Sequence, residues 1–216
     1  MSPAWLRWHS LLGVVPLAGY LLLHLLEQVL ALRGSALQRG FQALLDRSAV
    51  VSALELGLIY LPLCLHAGLG LCIVAGTETG SRAASAPDRA WPLGSGRVLR
   101  RLSACALLLF LVFHVWQFQG RLWLGELQRV DFLPELCASL SSTAFGGVPF
   151  VAIGYLLGVA AAALHAALGL YHACCSWGWV TPPQRERLRR ACVLGGLGLF
   201  ATGALIIVQF ATGSVS

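Results

Sequence analysis

The chain has 216 residues, 57% of them hydrophobic and only 11% charged, whereas a soluble domain carries roughly a quarter charged residues. That composition excludes an ordinary soluble enzyme and predicts an all-α integral membrane protein forming one domain over residues 1–216. All fifteen cationic side chains are arginine, and the net charge of +6 comes from arginines in short loops between apolar runs. It therefore reads as membrane topology, with lipid and not nucleic acid as the partner.

About 20 mostly apolar residues span a bilayer, and five segments meet that test, near 9–31, 50–75, 99–119, 149–174 and 191–212. The first could pass for a signal peptide, but its apolar stretch from Trp8 to Leu26 is too long for that and no small-x-small cleavage site follows, so it reads as a retained helix. The second connection is rich in Ser, Gly, Ala and Pro and is a loop. The third, around 121–140, alternates apolar and charged positions and predicts a short interfacial helix. The seven cysteines are scattered, with no CxxC and no CxxCH, and serve as small apolar residues. Trp5, Trp8, Trp91, Trp123, Trp177 and Trp179 fit interfacial belts.

Arginine placement sets the direction of the helices. Ten arginines lie on one side (Arg7, then Arg82, Arg89, Arg97, Arg100, Arg101, then Arg185, Arg187, Arg189, Arg190) and five on the other (Arg33, Arg39, Arg47, Arg121, Arg129). The positive-inside rule puts the N-terminus in the cytoplasm and the C-terminus outside.

Spans one to four each contain one internal histidine, His24, His66, His114 and His165, while His9 and His172 lie near span ends. Odd spans run outward and even spans inward, and all four histidines fall past the midpoints of their helices. His24 and His114 thus share an outer depth, and His66 and His165 an inner one. A lone intramembrane histidine is commonly an interhelical hydrogen bond or part of a proton path. Four, matched by depth, point instead to imidazole pairs around haem iron. Two of them sit in matching contexts, Leu-His-Ala-Gly-Leu-Gly-Leu at 65–71 and Leu-His-Ala-Ala-Leu-Gly-Leu at 164–170. Residues i and i+4 share a helix face, so Gly70 and Gly169 would remove side chains that strike a porphyrin; a small-residue helix contact is the alternative. A bare transition-metal ion fits less well, because no Asp, Glu or Cys lies on the same face near each pair to complete a small-ion shell.

These stretches (LRWHSLLGVVPLAGYLLLHLLEQ, ALELGLIYLPLCLHAGLGL, LLFLVFHVWQ and LHAALGLYHACCSWGWVTP) resemble the dihaem cytochrome b membrane anchors of succinate dehydrogenases and quinol:fumarate reductases, in the single-subunit, five-helix form. The resemblance covers nearly the whole chain. It implies a four-helix haem-binding bundle in a bacterial cytoplasmic membrane, with two haem b groups: an outer one on His24 and His114, and an inner one on His66 and His165. It implies a flavoprotein subunit and an iron–sulfur subunit on the cytoplasmic face, and a quinone, with menaquinone the family expectation. His9 and Ser10 match a polar pair near the inner haem's propionates in that family. Arg97, Arg100 and Arg101 lie at the same depth and would suit propionate carboxylates; His172, about 10 Å from His165 along the helix, could do likewise.

For proton exchange with quinone, Asp46 stands where the family often has a carboxylate, and Glu27 lies three residues past His24. Glu55 lies farther out on span two and could pair with Arg47. Some fumarate reductases of the family carry a glutamate where this chain has Ala163, which leans the reading toward succinate oxidation. There is no GxGxxG and no cysteine cluster, so flavin, iron–sulfur and dicarboxylate chemistry would sit on other subunits. Two other readings stay open: the dihaem anchor of another quinone-linked dehydrogenase, and a haem-free transporter using buried histidines.

Overall fold

A computed structural model describes residues 3–33, 40, 53–76, 91, 96–143 and 146–213. Among the described residues five helices are long and apolar enough to cross a membrane: α1 (Arg7–Ala31), α2 (Ala53–Ala75), α3 (Gly96–Trp123), α5 (Phe150–Ser176) and α6 (Pro182–Ala211). The short α4 (Phe132–Ser141) lies between α3 and α5, within the stretch expected to form an interfacial helix. The protein is thus an all-α, multi-pass membrane protein. Its outer surface is as apolar as a bilayer requires: Leu109 is 74% exposed and Leu194 69%.

Three of the spanning helices contain a widened five-residue turn, at Gly13–Leu17, Leu56–Tyr60 and Trp116–Gly120. The first surrounds Pro16, which has no N–H to give the helix and whose ring crowds the preceding turn. Widening lets α1 continue through the proline, and such turns often mark functional sites.

α5 lies at the centre and packs most extensively against α3 and α6, while α1 packs on α2 and also reaches α5. Small residues allow the close approaches. The Phe110 ring of α3 sits directly on Gly158 of α5. A Cβ at Gly203 of α6 would lie 2.6 Å from Val159, and one at Gly196 would lie 3.3 Å from the Ala163 carbonyl oxygen. Without a hydrophobic drive between helices in lipid, such van der Waals contact is what joins them. Ala163 is a buried position whose backbone carbonyl lies against α6.

One end of the bundle is closed by the chain after α3. Arg121 donates to Glu135 at 2.6 Å, and Arg129 grips Glu55 of α2 with two bonds of 3.0 and 2.7 Å. Glu55 thus pairs with Arg129, and Arg47 lies outside the described residues. Trp91 is buried edge-on against Tyr171, so it packs within the chain. All seven cysteines are unpaired.

Candidate functional site

Helix direction brings the four internal histidines together in two pairs. At one depth the rings of His24 (α1) and His114 (α3) have centroids 5.9 Å apart and planes at 68°. At the other, His66 (α2) and His165 (α5) stand 6.1 Å apart at 81°. Imidazole–metal bonds are about 2 Å, and a ring centre lies roughly 1 Å behind its nitrogen. Two imidazoles on opposite sides of one metal therefore have centres roughly 6 Å apart. Both pairs match that spacing, which direct hydrogen bonding between the rings would shorten.

The Nδ1 atoms of three of these rings have partners of their own. His66 Nδ1 lies 2.9 Å from the His9 carbonyl oxygen, His114 Nδ1 3.1 Å from the Tyr155 hydroxyl, and His165 Nδ1 3.4 Å from Ser103 Oγ. A carbonyl can only accept, so His66 carries its proton on Nδ1 and leaves Nε2 as the basic nitrogen. Metal-binding histidines are held in this way by a second hydrogen bond. Among the described residues no group of three or more His, Cys, Asp or Glu could hold a metal ion. Two imidazoles with no third protein donor suit a metal whose remaining positions are filled by a macrocycle, so the residues present fit haem.

The surroundings of each pair differ from the sequence expectation in detail. His9 stacks on His66, with centroids 4.0 Å apart and planes at 17°, so it lies against a paired imidazole and not only at the rim. A Cβ at Gly70 would come within 3.3 Å of His9 Nε2, which makes Gly70 a packing position for that stacked ring. Around Gly169, by contrast, no described atom lies within 4 Å of the Cβ position, so helix–helix contact within this chain does not demand glycine there. Gly13, which the sequence reading missed, comes closest to a paired imidazole: a Cβ there would sit 2.7 Å from His66 Cε1. Its only signal was a glycine three residues before Pro16 in the same helix, which names no partner.

Glu27 Oε2 is 3.8 Å from His24 Nδ1, and the Tyr20 ring stacks on His24 at 5.6 Å. Arg100 lies close enough to His9 and His165 to act on both electrostatically, as His172 does on His9. Ser10 and Arg97 are engaged within the described chain. Asp46 lies outside the described residues.

No family model matches the chain, and no solved structure matches it. Among curated proteins it is similar to the succinate dehydrogenase cytochrome b558 subunit of Bacillus subtilis (strain 168), 29% identical over 182 residues, covering 84% of this chain and 83% of the relative.

Proposed function

We propose that this chain is the membrane anchor and electron-transfer subunit of a succinate:quinone oxidoreductase, with two b-type haems, the outer held by His24 and His114 and the inner by His66 and His165. The observation that carries the reading is the pairing of imidazoles from four different helices at 5.9 and 6.1 Å. The name of the similar Bacillus subtilis protein supports it. Bound between these rings, haem supplies a one-electron carrier at each of two depths.

The chain's own residues orient the rings and tune their basicity. The His9 carbonyl holds the proton of His66 on Nδ1, and Ser103 stands beside His165 Nδ1. Arg100, with Arg97, His9, Ser10 and His172, provides a polar, cationic surround suited to propionate carboxylates at the inner, cytoplasmic depth. A flavoprotein and an iron–sulfur subunit dock on that arginine-rich face. A quinone, menaquinone by family, exchanges protons at the outer depth, where Glu27 stands beside His24 and Asp46 enters span two. Succinate oxidation is the favoured direction, because Ala163 leaves no glutamate on α5 for a proton path.

The test is the purified complex. A reduced-minus-oxidised spectrum with a low-spin b-type band, two haems per chain and co-purification of a flavin-bearing partner are expected. Absence of the band would leave a haem-free transporter as the reading.

A further inference from the structure

The three Nδ1 partners are not alike. At the inner depth they are a backbone carbonyl and a serine 3.4 Å away. At the outer depth the partner is a buried phenol that starts a chain of side chains. The Tyr155 hydroxyl lies 3.1 Å from His114 Nδ1 and donates to Gln117 Oε1 at 2.8 Å; Gln117 Nε2 then donates to Ser139 Oγ at 3.0 Å. Tyr155 is 5% exposed and Gln117 9%. The rings of Phe110, Phe113 and Phe118 pack around the His114–Tyr155 contact.

A phenol has one proton. With it committed to Gln117, the Tyr155 oxygen can only accept from His114, which must therefore carry its proton on Nδ1 and keep Nε2 basic. The amide also polarises the phenol, which strengthens its acceptance in turn, and the apolar ring cage magnifies each of these interactions. An imidazole whose Nδ1–H is strongly held has more anionic character, donates more electron density to a bound metal, and favours the metal's oxidised state.

We propose that Tyr155 and Gln117 are positioning residues that hold the potential of the outer site down, with Ser139 of α4 coupling the outer cap to that setting. The inference rests on the haem reading above and deepens it. No proton need leave the chain. The hydrogen-bond network changes only the basicity of one ligand.

Redox titration of the intact complex, followed through the haem absorption bands, tests this. Tyr155→Phe keeps the ring but deletes the acceptor, and the outer haem's midpoint potential should move to more positive values while the inner one stays in place. Gln117→Leu should shift it in the same direction by less, and Gln117→Glu, which keeps an acceptor for the phenol, should not raise it. An outer potential unchanged in Tyr155→Phe, or an equal shift of both haems, overturns the proposal. If Tyr155→Phe does not assemble, the contrast between the two Gln117 variants decides in the same way. Absence of two low-spin signals from the unmutated complex overturns the haem reading as well, so the two failures are distinguishable.

Discussion

An imidazole in a bilayer needs a partner for each nitrogen, because no water is there to serve. His66 meets that need with the His9 carbonyl on one nitrogen and faces His165 with its ring at metal-bridging distance. His66→Ala should therefore reduce the haem content of the purified complex from two per chain to one. His24→Ala should do the same at the outer site, and pyridine haemochrome assay of each variant checks the count. Two haems retained in His66→Ala would refute the pairing. Gly13→Ala would place a methyl within 2.7 Å of His66 Cε1, and overpacking of this kind costs about 1–3 kcal/mol. A lower thermal midpoint and lower inner-haem occupancy are expected. The four histidines were legible in the sequence because histidine is scarce in apolar runs; Gly13 was not, since its reason is a ring on another helix.

At the scale of elements, composition was enough to locate all five spanning helices, because a stretch either holds some 20 apolar residues or it does not. Their ends were less legible. Span three was expected over 99–119 but runs Gly96–Trp123, since arginines at helix ends can reach the interface without stopping the helix. The widened turns had no signature beyond Pro16. The α5–α6 seam depends on glycines at 196 and 203, which let Ala163 and Val159 close on α6. Gly203→Leu should separate the two helices and destabilise the bundle by about 1–3 kcal/mol, read as earlier loss of helical circular dichroism on heating in detergent. Retention of the unmutated stability would show that the seam does not hold the bundle.

Across the whole molecule, arginines number ten on one side and five on the other, from which the positive-inside rule predicts a cytoplasmic N-terminus. A phosphatase fused to the C-terminus, active only outside, should be active; an inactive fusion would reverse the depth assignment of both histidine pairs. The outer cap is tied to the bundle by Arg129 and Glu55, whose side chains are 28% and 21% exposed. A charge-assisted bond of this kind contributes about 1.5–3 kcal/mol. A double-mutant cycle on Arg129→Gln and Glu55→Gln, read by thermal unfolding, should return a coupling in that range. No coupling would mean the cap is seated by its apolar residues alone.

Length, apolar runs, arginine bias and four histidines at two depths were enough to determine a five-helix membrane protein with paired imidazoles. Each of those properties is set by residue type and position along a helix, and the bilayer imposes the rest. What only the tertiary structure decided was contact between helices: the His9 stack on His66, the Gly13 approach, the Arg129 grip on Glu55 and the chain from His114 through Tyr155 and Gln117 to Ser139. These depend on how neighbouring helices rotate and cross, which side-chain packing decides and linear spacing does not encode.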